Sequence, residues 1–228
     1  MQNKGVAVIG VGQTPFRSHR PDKTYVELAQ DAAKAALDDA GLTPSDIDAI
    51  VFSMAPTQFM GVNECDKWAV DSIWGSGKPM IRVHTGGATG GSAIHAGYTH
   101  VASGLYRTVL VVGADRVSET PDAQHVLNLI WDRFYEHDFA LNTVTMTALA
   151  SQRQMYKYGT TEEQFARVVV RARKNAMLNE NAHLKGYITI DVVLPSPRVT
   201  YPYRLFDICP RSAGAAAIVL TNLDVAQN

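Results

Sequence analysis

Short apolar runs and helix-like segments alternate along the first half of this chain, and this alternation limits the folds that it can adopt. Four short apolar runs, bounded by glycine, proline or charged residues, predict strands at residues 5–10, 46–54, 78–84 and 107–115. Helical patterns fill the three intervals, at residues 24–41, 63–75 and 89–103. The order β-α-β-α-β-α-β predicts an α/β fold, a layered sheet with helices on its faces and right-handed crossovers between parallel strands.

The first helix carries the clearest boundary signals. Thr24 and Glu27 have the spacing of a capping box, in which each side chain satisfies a backbone N–H of the first turn. Gly41 follows the last apolar residue of the pattern and is a natural C-terminal stop. We therefore expect this helix to end at the turn that contains residues 42–46.

The second half of the chain departs from this alternation. Residues from 116 to about 160 have no clean period and predict an inserted, partly helical lobe. Thr160 and Glu163 predict the cap of a long helix after it, with Arg167, Arg171 and Lys174 facing out and an apolar stripe of Phe165, Val168, Val169, Ala172 and Ala176. Prolines in segment 187–210 predict extended chain at an edge or surface, and 214–221 predicts a last buried strand.

Composition excludes several classes of protein. The net charge of -1, with 19% charged residues, gives no broad attraction to nucleic acid or an anionic membrane. The longest apolar run, residues 213–220, is too short to span a bilayer, and no signal peptide precedes the fold, so we expect a cytoplasmic protein. Cys65 and Cys209 have no partner at metal spacing and predict neither a disulfide framework nor a zinc ribbon.

Small residues dominate the corner between the third strand and the third helix, which reads VHTGGATGGSAIHAG. Glycine and alanine here leave the start of the helix with little side-chain cover, at Gly86, Gly87, Ala88, Gly90, Gly91 and Ala93. The N–H groups and the helix dipole would then face an anion or a thioester oxygen. The same residues equally suit close packing of a buried helix, and the pattern leaves both interpretations open.

Several segments, in order from about Val6 to Leu220, resemble the N-terminal half of a thiolase of the sterol-carrier-protein type. They are VHTGGATGGSAIHAG, VASGLYRTVLVVGADRVSET, ALASQRQMYKYGTTEEQFARVVVRARKNAMLNENA and RLFDICPRSAGAAAIVL. The resemblance implies half of a five-layered α-β-α-β-α sandwich, with the C-terminal thiolase half absent from residues 1–228. It also implies a homodimer that acts on acyl-CoA, with no cofactor beyond the CoA of the substrate.

The chain departs from the family pattern in two motifs. Residues 87–91 stand where the family has Cys-Ala-Ser-Gly-Gly, so Gly87 replaces the nucleophilic cysteine and cannot be acylated. Ala213 replaces the aspartate of the family's Ser-Asp-Gly-Ala-Ala. The family's catalytic histidine and second cysteine belong to its C-terminal half. The resemblance therefore predicts no covalent acyl-enzyme at this corner.

The turn formed by residues 84–87 resembles the His-x-Gly-Gly turn of thiolase-like aldolases of steroid side-chain breakdown. Those proteins cleave a β-hydroxyacyl-CoA by retro-aldol chemistry, which needs a base for the hydroxyl and a stabiliser for the thioester enolate, but no acyl-enzyme. They act with a small partner that carries an OB-fold and a zinc ribbon. The resemblance implies such a partner here, together with a separate C-terminal thiolase half.

Candidate site residues follow from this resemblance. The candidate pocket side chains are His84, Thr85 and Thr89, and the expected substrate contacts are Gly86, Gly87, Ala88, Asn142 and Met146. His84 is equally explained as a hydrogen-bonded structural residue, and neither Thr89 nor Ser92 has an evident adjacent base that would make it a nucleophile. The sequence does not identify the catalytic base.

For several other side chains the sequence allows two roles. The lobe residues Trp131, Phe134, Tyr135 and His137 would cover an acyl chain or form dimer contacts, and Arg167, Arg171 and Arg173 would meet a CoA phosphate or form a solvated face. Cys209 is expected to be a packed thiol. His95 and His100 are five residues apart on a helix and share no face, so no metal site is predicted.

The sequence is compatible with three functions. The first is an enzyme subunit that forms or cleaves a C–C bond beside a CoA thioester, as an acyltransferase or a lyase. The second is a non-catalytic subunit that binds acyl-CoA, in which Gly87 and Ala213 mark decay of the site. The third is a truncated acetyl-CoA acetyltransferase without an independent role. The resemblance favours the first.

Overall fold

A computed structural model describes residues 5–55, 59–136, 138–139 and 141–227. The chain divides into two compact units, one formed by the residues up to Pro121 and from Ser212 onward, the other by Asp122–Arg211. The second unit is therefore larger than the lobe expected at 116–160, because it also holds the long helix and the proline-interrupted segment. None of the described helices combines the length and the apolar character that crossing a bilayer requires.

The elements of the first unit follow the predicted alternation. They are β1 (Val6–Gln13), α1 (Tyr25–Ala40), β2 (Ala49–Ser53), α2 (Cys65–Ala69), β3 (Met80–Val83), α3 (Thr89–Ala102), β4 (Thr108–Arg116), β7 (Ala213–Asn222) and α8 (Leu223–Ala226). Strand β1 runs three residues beyond the prediction, and α2 is shorter, with turns in place of helix up to Gly75. The α/β fold class is confirmed.

The described strands of this unit form one mixed sheet in the order β1-β7-β4-β2-β3. Strand β2 is parallel to both β3 and β4, whereas β7 is antiparallel to its neighbours β1 and β4. The carboxyl ends of the three parallel strands therefore lie at the same edge of the sheet as the start of β7. That edge carries the glycine-rich corner.

Helices α1 and α3 cover opposite faces of the sheet. Successive residues of β4 point to opposite faces, so Leu110 and Val112 pack with α1, and Val109 and Val111 pack with α3. Because both faces are covered, all residues of β2 are buried, which explains its continuous apolar run in place of a polar alternation.

Gly97 sets the closest approach of α3 to the sheet. A Cβ atom there would lie 2.5 Å from Cγ2 of Val111 and 2.9 Å from Cδ1 of Leu220, both of which are buried. We expect Gly97→Ala to lower the free energy of unfolding by about 1–3 kcal/mol through overpacking. Urea denaturation measures this loss.

Gly91→Ala in the same helix is the matched control, because a Cβ atom there meets nothing within 4 Å. It should raise the free energy of unfolding by up to about 1 kcal/mol through helix propensity. Equal effects of the two alanines would contradict the packing described here.

The second unit is mainly helical. Its elements are α4 (Ala123–Asn128), α5 (Thr143–Tyr158), α6 (Glu162–Ala176), α7 (Ile190–Val193), β5 (Arg198–Thr200) and β6 (Tyr203–Arg204). The proline-interrupted segment, predicted as extended chain, thus contains a short helix and a two-stranded antiparallel sheet. A carboxylate oxygen of Glu162 lies 3.0 Å from guanidinium nitrogens of both Arg198 and Arg204, which ties α6 to this sheet.

The cap of α6 lies one residue later than predicted. Thr161 and Gln164 form the capping box, in place of Thr160 and Glu163. This register leaves Glu163 free to pair with Arg167 at 2.7 Å on the exposed face.

The predicted apolar stripe of α6 is only partly correct. Val168 and Ala172 are exposed, and the fully buried position is Ala166. The predicted outward direction of Arg167, Arg171 and Lys174 is confirmed.

Candidate functional site

An open depression of about 230 Å³ lies at the edge of the sheet where β2 and β4 end. It is lined by residues 53–55, 113–115 and 214–216, by Phe16, and by Gly86, Gly87, Thr89 and Gly90. In open sheets with parallel strands, ligands bind beyond the carboxyl ends of the strands. The corner that the sequence singles out therefore forms one wall of the best-placed depression of the first unit.

The corner turns through a short 3-10 helix, Gly86–Ala88, before α3 begins at Thr89. Gly86 has a positive φ of 61°, a conformation that side chains rarely adopt. A Cβ atom at Gly87 would meet no atom within 4 Å, so the backbone has room for a side chain that the sequence does not supply. Gly86 and Gly87 line the depression, whereas Ala88 is exposed beside it.

Neither cysteine of the chain supplies a thiol here. Cys65 is packed in the core beneath α1, where burial raises the pKa of its thiol. Cys209 belongs to the second unit and is exposed, so the expectation that it is a packed thiol is wrong. The residue follows a short 3-10 turn, Leu205–Asp207, and leaves its side chain outside the core.

The hydroxyl groups of the corner hold the turn together. The Thr89 hydroxyl donates to the carbonyl oxygen of Gly86 at 2.6 Å and accepts from the backbone N–H of Thr85 at 3.1 Å. The hydroxyl groups of Thr85 and Ser92 lie 2.7 Å apart. These bonds give Thr85 and Thr89 a structural role in shaping the corner.

Other predicted site residues lie outside the depression or in the other unit. His84 is exposed at the end of β3 and does not line the depression. In the second unit, Asn142 caps α5, and its Oδ1 accepts from two backbone N–H groups at 2.9 and 3.0 Å. Met146 is 38% exposed in the first turn of α5. Substrate contact by Asn142 and Met146 stays a prediction, and His137 lies outside the described residues.

Two of the three arginines proposed for a CoA phosphate contact other side chains. Arg167 pairs with Glu163, and the guanidinium of Arg173 lies 5.9 Å from the ring centre of Phe206. Within the described ranges no three His, Cys, Asp or Glu side chains are grouped so as to hold a metal ion.

Among the described residues that line the depression, Asp115 is the one with an acidic side chain, and the sequence interpretation missed it. Its Oδ1 accepts from the backbone N–H of Arg116 at 2.8 Å, while its Oδ2 is buried without a hydrogen-bond partner among the described residues. Burial raises the pKa of Asp115 to about 7, and the backbone N–H groups of Arg116 and Ala55 only partly offset this effect. The sequence signal was a carboxylate at the end of a predicted parallel strand.

Comparisons with known proteins agree with this geometry. The family description "Thiolase, N-terminal domain" matches residues 6–182. The chain is 32% identical over 225 residues to an acetyl-CoA acetyltransferase of Methanothermobacter thermautotrophicus, covering 98% of this chain and 58% of the relative. It is 30% identical over 233 residues to the 17-hydroxy-3-oxo-4-pregnene-20-carboxyl-CoA lyase of Mycobacterium tuberculosis, covering 95% and 57%.

A solved structure, the Ltp2-ChsH2(DUF35) aldolase, is similar with a TM-score of 0.78 and 27% identity, covering 99% of this chain and 57% of that one. The chain thus spans less than three fifths of the length of these relatives, at 57–58%.

Proposed function

This chain belongs to the thiolase family, and on that premise we propose that it is part of an enzyme that forms or cleaves a C–C bond beside a CoA thioester without a covalent acyl-cysteine. The observation that carries the proposal is Gly87. It lines the depression with open space around it, at the position where the family pattern has its nucleophile. The corner retains the geometry that would receive a thioester and lacks the thiol that would attack it.

Retro-aldol cleavage of a β-hydroxyacyl-CoA fits these constraints. A base removes the proton of the β-hydroxyl, the bond between Cα and Cβ breaks, and its electron pair forms the thioester enolate. A proton added to Cα then completes the shorter acyl-CoA, and the other product is a carbonyl compound. No step needs an acyl-enzyme, so the reaction requires a proton acceptor and polar groups for the enolate oxygen.

Two relatives support this chemistry by name. The relative from Mycobacterium tuberculosis is a lyase of a carboxyl-CoA compound, and the Ltp2-ChsH2 structure is that of an aldolase. The double name of that aldolase also supports a partner subunit, for which we propose the small OB-fold and zinc-ribbon protein. We further propose a cytoplasmic homodimer completed by a C-terminal thiolase half, with Asn142 and Met146 at the substrate and no cofactor beyond its CoA.

Acyl transfer is the second candidate function, because the relative from Methanothermobacter thermautotrophicus is an acetyl-CoA acetyltransferase at 32% identity. That reaction in thiolases proceeds through a cysteine thioester. Gly87 supplies no thiol for this thioester, which argues against acyl transfer.

A substrate comparison separates these functions. The chain is purified with the subunits that accompany it and given either a β-hydroxyacyl-CoA or a β-ketoacyl-CoA with free CoA. We expect the first to yield a carbonyl compound and a shorter acyl-CoA, and the second to remain unchanged, as followed by liquid chromatography and mass spectrometry. CoA-dependent cleavage of the β-ketoacyl-CoA would favour acyl transfer, and binding without products would leave a scaffold subunit.

A further inference from the structure

We propose that Asp115 is the group that accepts the β-hydroxyl proton, an inference that rests on the function proposed above. Asp115 lies near the carboxyl end of β4 and lines the same depression as Gly87. Of the described residues that line this depression, it is the one with an ionisable side chain.

The register of the sheet directs Asp115 toward the face that α3 covers. Across the β4–β7 ladder, Asp115 pairs with Gly214, and Gly113 pairs with Ala216. Alternate residues share a face, and Val111, four residues before Asp115, packs against α3. On this face, β4 therefore carries Val111, then Gly113, and then Asp115 at the depression.

Small neighbours keep this part of the depression free of bulky side chains. Residues 214–216 of β7 are glycine and alanine, and the corner opposite contributes Gly86 and Gly87. A Cβ atom at Gly214 would lie 2.6 Å from the ring of Phe16, so an aromatic ring closes the side beyond β7. Asp115 thus lies at the margin of a depression whose neighbouring walls are glycine and alanine.

No cationic side chain among the described residues pairs with the Asp115 carboxylate. The Nη2 atom of Arg116 donates to the carbonyl oxygen of Arg20 at 2.9 Å and pairs with Glu119 at 2.9 Å. Arg20 in turn pairs with Asp22 at 3.0 Å. The lining residues from β2, the corner, β7 and Phe16 are uncharged. The state of Asp115 is therefore set by burial and by backbone N–H groups.

An unpartnered, buried carboxylate oxygen is costly, and a native site that retains one needs an explanation. A rotation of the Asp115 side chain that turns Oδ2 toward the depression would let a substrate hydroxyl donate to this oxygen and supply the missing partner. Proton transfer along that bond leaves Asp115 neutral while the C–C bond breaks, and the same proton is then available for Cα. A pKa of about 7 makes both forms of Asp115 accessible near neutral pH.

Other side chains of the corner do not compete for this role. The hydroxyl of Thr89 is engaged by Gly86 and Thr85, and His84 does not line the depression. A hydroxyl group without an adjacent base is also a weak proton acceptor.

The test measures cleavage of a β-hydroxyacyl-CoA by the native complex and by three variants, Asp115→Asn, Asp115→Glu and Asp38→Asn. In the unaltered complex, kcat/KM should rise with pH with a midpoint at about 7, because the carboxylate form is required. Asp115→Asn should lower kcat at least about a hundredfold with little change in KM and lose this pH step. Asp115→Glu should recover part of the rate with a shifted midpoint.

Asp38→Asn is the control, because Asp38 is an exposed partner of Lys34 on α1. Its activity and pH profile should match those of the unaltered complex. Cleavage by Asp115→Asn at an unaltered rate and pH profile would overturn the assignment of Asp115 and leave the proposed function standing. No cleavage by the unaltered complex would overturn both. If Asp115→Asn does not fold, an unshifted midpoint in Asp115→Glu overturns the assignment.

Discussion

Gly12→Ala is expected to lower the free energy of unfolding by about 3 kcal/mol or more. A Cβ atom at Gly12 would lie 2.1 Å from the carbonyl oxygen of Ala32 and 2.5 Å from the backbone nitrogen of Ala36. These are backbone atoms of α1, so no rotamer change relieves the overlap, and the helix must move away from β1. Urea denaturation followed by circular dichroism measures the loss.

Val11→Ala is the matched control for this prediction. Val11 neighbours Gly12 in β1 but points away from α1 and is 57% exposed. Its replacement should cost less than about 1 kcal/mol, through β-propensity alone. Equal losses for the two variants would show that the contact between α1 and β1 is not as close as described.

Asp115→Asn is expected to stabilise the protein at pH 8 while it abolishes activity. The pKa of Asp115 is about 7 in the folded chain against a reference value of 3.8, so the folded state holds a proton that the unfolded state releases. Stability must then fall as pH rises from about 4 to about 7, by an amount on the order of 4 kcal/mol. Asparagine cannot ionise, so the variant does not suffer this loss. The difference in free energy of unfolding between Asp115→Asn and the unaltered chain should therefore increase from about pH 4 to about pH 7 and change little at higher pH.

Asp46→Asn provides a control of opposite sign. Hydrogen bonds from the backbone and side chain of Thr43 lower the pKa of Asp46. The stability that Asp46 contributes is therefore present at neutral pH and is lost as pH falls through its pKa. Relative to the unaltered chain, Asp46→Asn should lower the free energy of unfolding most at neutral pH. Free energies of unfolding from about pH 2 to pH 8 check both trends, because the Asp46 contribution changes below about pH 4 and the Asp115 contribution changes above it. A pH-independent difference between Asp115→Asn and the unaltered chain would contradict burial of an ionisable carboxyl group.

Local signals of the sequence predicted the first unit well. The capping box of Thr24 and Glu27 is confirmed, with the backbone N–H of Thr24 donating to a Glu27 carboxylate oxygen at 2.7 Å. Gly41 ends α1 in the left-handed conformation, as expected. These features depend on residues close in sequence, and for that reason they can be predicted from one sequence.

Features that depend on distant residues were not predictable in the same way. Strand β7 lies between β1 and β4, and its pairing of Gly214 with Asp115 joins residues 99 positions apart. The ion pairs of Glu162 with Arg198 and Arg204 likewise join residues that are distant in the sequence. Both arrangements depend on tertiary partners that spacing does not reveal.

The candidate site also combines features that depend on neighbouring residues with features that depend on distant ones. The glycine-rich corner was visible in the sequence because its small residues are consecutive. The importance of Asp115 was not, since its burial and its missing partner depend on which strands end beside it.

The mass of the intact chain during turnover distinguishes cleavage without an acyl-enzyme from acyl transfer. The native complex is mixed with a β-hydroxyacyl-CoA, quenched in acid within the first turnovers, and analysed by mass spectrometry. After iodoacetamide treatment the Gly87→Cys variant should carry one more adduct than the unaltered chain, whose exposed Cys209 also reacts, and this difference verifies that an adduct at the corner is detected. We expect carbonyl product and shorter acyl-CoA to accumulate while the mass of the unaltered chain does not change. A population of chain heavier by the mass of the acyl group would contradict the account.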